Sequence, residues 1–187
     1  MKAFFDRLNI TAETRVLDVG GSEAIWELAP VRPKLTIVNL YPKIEVKNGS
    51  YLRGSGRAIP FADKSFDVVF SNSVIEHLGS WSAIEELSTE IRRVGKRYWV
   101  QTPNRYFPFE LHYLAPFIHF APKALQKRVL RYGSGWGLLT KPTPKQVAEY
   151  VEELHLLGRR DLGRLFPEAE LRGERFMGLV KSLVAWA

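Results

Sequence analysis

The first residues whose types and order could do chemistry follow an apolar strand in VLDVGGSEAIWELAP, residues 16–30. Asp18 precedes the pair Gly20–Gly21 by two residues, and Ser22 follows the pair. Glycine lets the backbone approach a ligand or adopt a positive φ, and a helix beginning after Ser22 would attract a carboxylate. Asp18 would repel a dinucleotide pyrophosphate but attract a ligand with an ammonium group. A glycine pair after a strand is also consistent with a purely structural turn.

The end of the next strand offers a second polar side chain. Nucleotide-binding α/β folds often place an acid for the ribose hydroxyls about 20 residues after the glycine turn, and this chain has Asn39 there. An amide is a neutral acceptor, so it should hold a diol less strongly than a carboxylate does. We therefore expect Asn39→Asp to tighten binding, and Asp18→Ala to weaken it more than Asn39→Ala.

The sequence contains no motif typical of a metal site or of a serine nucleophile. The four histidines, His77, His112, His119 and His155, show no H-E-x-x-H or comparable spacing, and there is no cysteine, so no metal site is expected. A serine nucleophile after a strand would call for G-x-S-x-G, which is absent.

The elements that must position these residues follow from hydrophobic periodicity. Continuous apolar runs predict buried parallel strands at residues 15–19, 35–40, 66–71 and 97–101. Residues 169–187 read as two strands joined near Gly178, and strands so close in sequence must pair antiparallel. The predicted fold class is α/β, a doubly wound, mainly parallel sheet that ends in an antiparallel hairpin.

Two amphipathic helices are predicted between and after these strands. Residues 82–94 carry a capping box of Ser82 and Glu85 and a stop at Gly95. Residues 144–157 begin with Thr143 as cap and Gln146 completing the box. The intervening segment 104–141, dense in aromatics and proline, is expected to be a helical lid over a pocket, with a dimer or membrane contact as the alternative.

Length, composition and charge limit the domain organisation, the location and the partners of the protein. A chain of 187 residues, of which 45% are hydrophobic and 25% charged, fits one domain spanning residues 1–187. No apolar run is long enough to span a bilayer and no signal peptide is apparent, so a cytoplasmic protein is expected. The net charge of +7 is concentrated at residues 96–131, where seven basic residues accompany the single acid Glu110. Such a segment either attracts anions or is a solvated face.

The most specific motif set lies at residues 54–78, GSGRAIPFADKSFDVVFSNSVIEHL. This stretch resembles the class I S-adenosylmethionine-dependent methyltransferases of the type 11 branch, whose pattern runs roughly G-D-A-x-x-L-P-F, an S-F-D strand, and L-E-H-L. VLDVGG at 16–21 and TPNRYFP at 102–108 are similar to the family's first motif and its fifth-strand exit. The likeness covers nearly the whole chain, including the terminal hairpin.

The resemblance implies a Rossmann-like fold, S-adenosyl-L-methionine as cofactor, and a set of binding residues. Asp18, Gly20, Gly21 and Ser22 would line the methionine moiety, Asn39 and Leu40 the ribose, Ser55 and Gly56 the adenine edge, and Ser71, Asn72 and Ser73 the floor beneath the sulfonium. Three of these depart from the family pattern, because Ser22 replaces a glycine, Asn39 an acid and Ser55 an aspartate. The departures predict weaker cofactor binding, and a catalytically lapsed binding or scaffolding protein is the alternative.

The resemblance also bears on the acceptor. His77 follows the fourth strand on the methyl side, and His112 lies in the lid near Glu110, so both are candidate bases for O-methylation; each could instead be structural. The loop SNSVIEHL lacks the Asn/Asp-Pro-Pro-aromatic pattern of base-amine methylases, which argues against nucleic acid despite the basic segment. A small-molecule or glycan acceptor is expected, with a membrane surface contacted through residues 107–131 as an alternative. The sequence carries no signal for oligomeric state.

Overall fold

The computed structural model describes residues 1–42, 46 and 49–187. The strands of the main sheet are β1 (Arg15–Val19), β2 (Lys34–Asn39), β3 (Gly49–Arg53), β4 (Phe66–Asn72), β5 (Gly95–Pro103), β8 (Glu170–Phe176) and β9 (Leu179–Trp186), and a small ribbon is formed by β6 (Phe109–Glu110) and β7 (Ala115–Pro116). The helices are α1 (Lys2–Leu8), α2 (Glu23–Glu27), α3 (Trp81–Val94), α4 (Lys123–Gly133), α5 (Gly135–Thr140), α6 (Pro144–Glu153) and α7 (Arg159–Leu165), with 3₁₀ turns at Ile75–His77 and Ile118–Phe120.

The main sheet has the strand order β3-β2-β1-β4-β5-β9-β8. The pairs from β3 to β5 are parallel, and β9 is antiparallel to both β5 and β8. The predicted doubly wound sheet and its C-terminal hairpin are therefore confirmed. The direction of strand succession reverses between β1 and β4, which is where open α/β sheets bind ligands. Strand β3 was not predicted, because its sequence GSYLR is polar and its residues are only partly buried.

Apolar layers cover both faces of the sheet, because successive strand residues alternate between them. Leu17 and Val19 pack with α3 and α7 on one face. Val16 packs with α1 and Trp26 of α2 on the other. Asp18 shares the face of Val16, so this carboxylate enters an otherwise hydrophobic layer.

The helix boundaries correct part of the prediction. Helix α3 begins one residue earlier than expected, and its N-cap is Ser80, whose hydroxyl accepts from the amide of Ala83. The proposed Ser82–Glu85 capping box is therefore wrong. Helix α6 has the predicted Thr143–Gln146 box with proline at its start, but it ends at Glu153 rather than at residue 157. Gly158 instead precedes α7, whose existence the sequence did not reveal.

The segment 104–141 forms a subassembly rather than a loose loop. Its strands β6 and β7 and helices α4 and α5 pack with α6 around a core of their own, built on Tyr113, Leu130, Val147 and Val151. This core lies beside the edge of the sheet at which the binding residues were predicted. Across the described ranges, no helix is both long and apolar enough to cross a membrane.

Candidate active site at the strand ends

Four strand ends meet beside the glycine turn that follows β1. The amide of Gly20 donates to the carbonyl of Val38 over 2.7 Å, which joins the turn to β2. On the other side, the Ser71 hydroxyl donates to the carbonyl of Val19 over 3.4 Å. The amide of Ser73 continues the connection to β5 through the Gln101 carbonyl, at 2.9 Å. The predicted cofactor-binding segments are thus neighbours at the switch point of the sheet.

Packing within the protein explains why both turn positions are glycine. Gly20 has φ +78°, a conformation that side chains disfavour, and a Cβ there would lie 2.6 Å from a methyl group of Val74. A Cβ on Gly21 would lie 1.9 Å from a carboxylate oxygen of Asp18. The turn is therefore pressed against Val74 and Asp18, and any larger residue at either position would push it away.

Asp18 lies behind the turn, with its side chain fully buried. Its Oδ2 accepts a hydrogen bond from the indole nitrogen of Trp26 at 2.7 Å, and its Oδ1 has no hydrogen-bond partner among the described residues. Burial raises the pKa of Asp18 to about 7, although the hydrogen bond from Trp26 opposes that rise. Asp18 supports the turn from inside the protein in this structure, and its contact with the methionine moiety stays a prediction.

Asn39 holds the glycine turn from the β2 side. Its Nδ2 donates to the carbonyls of Gly20 at 3.1 Å and Gly21 at 2.9 Å. Two carbonyl acceptors require the amide nitrogen at this position, so the side-chain orientation is fixed by chemistry. Asn39 therefore performs a task that an ionised aspartate could not, because a carboxylate has no hydrogen to donate. Its predicted contact with a ribose is untested.

The remaining predicted binding residues form a rim of mixed exposure. Ser22 is the exposed N-cap residue of α2, and its hydroxyl makes no capping hydrogen bond. The Ser55 hydroxyl accepts from the amide of Arg57 at 3.2 Å and keeps its own hydrogen for a further bond. Gly56 lies close to Val19 and Leu87, where a Cβ would clash.

The other predicted rim and floor residues differ in their surroundings. Leu40 is 65% exposed, while Ser71 is buried at the end of β4. Asn72 ends β4, and Ser73 follows it with φ +54°, in the left-handed region. Non-glycine residues rarely adopt that region, and those that do often lie at functional sites.

On the lid side of the same edge, His77 and His112 face each other. Their Nε2 atoms are 3.1 Å apart and their rings meet edge-on. His112 Nδ1 lies 2.7 Å from Glu110 Oε1, to which it donates. Burial, then the neighbouring His112, lowers the pKa of His77 to about 4. Burial also opposes protonation of His112, but the hydrogen bond and charge of Glu110 outweigh it and raise the pKa.

Two buried carboxylates complete this cluster. Glu110 Oε2 accepts from the amide of Tyr113 at 2.6 Å. Glu76 Oε2 accepts from the hydroxyl of Thr102 at 2.9 Å, while its Oε1 has no hydrogen-bond partner in the described part of the chain and lies 4.0 Å from His112 Nε2. Burial raises the pKa of Glu76 to about 7. Sequence reasoning assigned no role to Glu76 or Thr102, although a glutamate inside the apolar stretch S-V-I-E-H-L was a usable signal.

A cavity of about 650 Å³ opens between the lid and α6. Tyr113 lines it directly after His112, and His155 lines it while donating its amide to the carbonyl of Glu76 at 2.7 Å. The cavity therefore adjoins the histidine cluster. Its wall combines aromatic, imidazole and cationic groups, contributed by Arg105, Tyr106, Tyr113, His119, Phe120, Lys123 and His155.

The basic segment is partly neutralised by ion pairs. Lys123 and Lys127 contact Glu152 at 2.9 and 2.6 Å, and Lys96 contacts Asp67 at 2.9 Å. A continuous cationic face of the kind that tracks a nucleic-acid backbone would keep such charges free. These ion pairs favour the solvated-face interpretation for that part of the segment.

The strand order, the switch-point site and the flanking hairpin are those of the Rossmann-like methyltransferase fold. The family described as "Methyltransferase domain" has a sequence model that matches residues 31–98. The recognition made from the motifs is confirmed by this match: residues 31–98 carry the sequence pattern of a methyltransferase domain, and the sheet is that of the Rossmann-like methyltransferase fold.

Relatives and solved structures agree with this class. The chain is 34% identical over 88 residues to an uncharacterized methyltransferase of Mycolicibacterium gilvum (strain PYR-GCK), a match that covers 41% of this chain and 34% of that protein. It therefore spans about a third of the curated relative's length. A SAM-dependent methyltransferase from Methanosarcina mazei superposes with TM-score 0.61 at 15% identity, covering 97% and 95% of the two chains.

A third comparison is with a protein whose structure contains ligands. The Burkholderia thailandensis 1,6-didemethyltoxoflavin-N1-methyltransferase, with 1,6-didemethyltoxoflavin and S-adenosylhomocysteine bound, has TM-score 0.59 at 14% identity, covering 99% of this chain and 74% of that one. At such identities the two structural likenesses show the fold alone.

Proposed function

We propose that this protein is an S-adenosyl-L-methionine-dependent methyltransferase that O-methylates a small-molecule or glycan acceptor. The observation that carries the proposal is the meeting of the glycine turn, the polar β2 and β4 ends and the His77–His112 pair at one edge of the sheet. A cofactor at the turn and an acceptor in the lid cavity would approach each other there.

The residues at the turn fit the cofactor in their chemistry. A Cβ on Gly20 or Gly21 would collide with the protein itself. Both positions therefore remain glycine, and the backbone of the turn carries no side chain there that would keep a ligand away. Ser22 offers an exposed hydroxyl at the start of α2, and Ser55 keeps a hydroxyl hydrogen on the adenine side. We assign Gly20, Gly21, Ser22, Asn39, Leu40, Ser55, Gly56 and Ser71–Ser73 to cofactor binding, with Asp18 behind the turn.

When bound, S-adenosyl-L-methionine supplies an activated methyl group with sulfur as a good leaving group, so the protein mainly aligns the reactants. The residues of this chain then act on the acceptor. His112 directly precedes Tyr113 of the cavity wall and lies beside His77, and the two imidazoles would hold the acceptor hydroxyl by hydrogen bonding. Glu110 fixes the orientation of the His112 ring through Nδ1.

The cavity wall supports an acceptor with a flat or sugar-like face and a negative group. Tyr106 and Phe120 offer surfaces for stacking, and Arg105 reaches no carboxylate of the described residues nearer than Asp161, at 3.9 Å. Arg105 is therefore available to bind an anionic substituent. Nucleic acid is disfavoured, because the lysines Lys123 and Lys127 are already paired with Glu152.

Calorimetry with S-adenosylmethionine and S-adenosylhomocysteine tests the proposal. We expect saturable binding of both ligands, weaker than in relatives that keep the acids and the third glycine. Absence of heat at millimolar ligand would refute the methyltransferase assignment. Binding without S-adenosylhomocysteine production over a panel of phenols, sugars and sugar phosphates would instead favour the lapsed, scaffolding alternative.

A second candidate, association with a membrane surface, rests on exposed apolar side chains of the lid. Phe117, Phe120 and Leu125 are 64%, 53% and 48% exposed, and the cations Arg128 and Arg131 lie on the neighbouring helix α4. Aromatic and aliphatic side chains beside basic residues favour an anionic lipid interface. Flotation with phosphatidylserine vesicles tests this candidate. Equal recovery of the wild type and the Phe117→Ser variant at the bottom of the gradient would dismiss it.

A further inference from the structure

We propose that Glu76, His77 and His112 form a binding site for a divalent transition-metal ion such as Zn²⁺. The three residues each offer one ligand atom, and these atoms lie within 4.8 Å of one another. Two imidazoles and one carboxylate are a common ligand set for Zn²⁺ and other first-row metals. No local sequence pattern reveals this group, because residues 35 positions apart supply the two imidazoles.

The imidazole geometry suits a shared ion. The two Nε2 atoms are 3.1 Å apart, and an ion about 2.05 Å from each would subtend an angle of about 98° between them. That angle lies between the octahedral and tetrahedral values. Both rings therefore already present the nitrogen that a metal would use, at a separation typical of neighbouring ligands.

Glu76 supplies an independent observation that points to a missing cation. Its side chain is fully buried, Thr102 holds one carboxylate oxygen, and the other has no hydrogen-bond partner among the described residues. That oxygen faces His112 Nε2 at 4.0 Å. A buried carboxylate oxygen without a partner is costly, and a metal ion between it and the imidazoles would satisfy it. Bringing this oxygen from 4.0 Å to the roughly 3.3 Å that separates neighbouring ligands of a tetrahedral ion requires a shift of about 0.7 Å relative to His112 Nε2.

Glu110 would not bind the ion itself but would support the His112 ligand from behind. It accepts from His112 Nδ1 at 2.7 Å and is itself held by the amide of Tyr113. Metal-bound histidines usually donate their second nitrogen to such a carboxylate, which fixes the ring and strengthens the ligand. With three protein ligands, the ion would keep at least one open position, where an oxygen of a small molecule could bind.

The site is tested by metal binding alone, with no cofactor or acceptor present. Untagged protein is stripped with a chelator and titrated with ZnCl₂ by calorimetry, and Co²⁺ is used as a spectroscopic probe. We expect one Zn²⁺ per chain and visible Co²⁺ d–d bands from a site containing nitrogen ligands. His112→Ala should weaken Zn²⁺ binding at least 30-fold, and Glu110→Gln about 10- to 100-fold. His155→Ala, the matched histidine control outside the cluster, should change the affinity less than twofold.

Glu76→Gln separates a metal ligand from a structural residue. The glutamine can still accept from Thr102, and it removes an unpartnered buried carboxylate, so the metal-free variant should melt at or above the wild-type temperature while binding Zn²⁺ at least 10-fold more weakly. Absence of saturable Zn²⁺ binding by the folded wild type, or equal losses in His112→Ala and His155→Ala, would overturn the proposal. Cofactor binding measured on the same preparation shows separately whether the proposed methyltransferase function stands.

Discussion

Replacing Asn39 by aspartate isolates the role of one amide in shaping the cofactor turn. Judged by sequence alone, Asn39→Asp should improve the site by supplying a charged acceptor for ribose hydroxyls. The structure reverses the expected sign. Asn39 Nδ2 donates to the carbonyl oxygens of Gly20 and Gly21 at 3.1 and 2.9 Å, and an ionised aspartate would place an oxygen against both carbonyls.

The size of the effect follows from the two hydrogen bonds that the aspartate cannot make. Each contributes about 1 kcal/mol, and leaving buried acceptors without a donor adds about 1–3 kcal/mol. Asn39 is only 8% exposed, so water cannot readily replace the amide. We expect a loss of about 3 kcal/mol in the free energy of unfolding near pH 8, which corresponds to roughly 6–12 °C in Tm for a chain of this size. Binding of S-adenosylhomocysteine should weaken as well, because the glycine turn loses the two hydrogen bonds that hold it in position.

Two comparisons sharpen this test, using urea unfolding followed by circular dichroism, and calorimetry for the ligand. Asn39→Ala removes the donors without adding charge, so it should be less damaging than Asn39→Asp at pH 8. Lowering the pH should restore part of the stability of Asn39→Asp only, since a protonated carboxyl can donate to one carbonyl. An Asn39→Asp protein with wild-type stability and tighter ligand binding would show that the amide does not hold the turn.

Three further predictions follow from buried groups around the site. Folding raises the pKa of Asp18 from 3.8 to about 7, so the folded state keeps that proton to higher pH than the unfolded state does. The free energy of unfolding should therefore fall by up to about 4 kcal/mol between pH 4 and pH 7. Asp18→Asn should flatten this pH dependence when stability is measured by urea unfolding, and the same pH dependence in wild type and variant would contradict it. Gly20→Ala should destabilise by about 2 kcal/mol or more through its positive φ and its clash, and adding Val74→Ala should recover the steric part alone in a thermal double-mutant cycle. Thr102→Val should cost about 1–3 kcal/mol by leaving both Glu76 oxygens without donors, whereas an unchanged Tm would mean that this hydrogen bond is not formed.

The sheet was predictable because its central strands are continuous apolar runs. Residues 15–19 were assigned with their observed bounds, and the terminal hairpin followed from the short turn near Gly178. Strand β3 escaped because a polar edge strand carries no hydrophobic signal. The start of α3 was misplaced because Ser80 and Ser82 are equally good N-cap residues in sequence, and only the hydrogen bond to Ala83 distinguishes them.

The site was harder to predict because its groups are defined by contacts between distant segments. Positions such as Gly20 and Asn39 could be found by their place after a strand, but what each side chain does could not. The amide of Asn39 serves two carbonyls 18 and 19 residues earlier in the chain. Likewise, no local spacing relates His77 to His112, since the fold of the lid alone brings them together.

The contacts of the lid make it part of the site rather than a cover over it. His112 and Glu110 belong to the lid segment, whereas Glu76 and His77 belong to the 3₁₀ turn after β4. Glu76 is in turn tied to β5 through Thr102, so the core half of the cluster is fixed by the sheet. Displacing the lid would therefore separate the two imidazoles and remove Glu110 at the same time. Any chemistry that needs both histidines, whether they hold an acceptor hydroxyl or a metal ion, is confined to the arrangement in which the lid is packed against the strand ends.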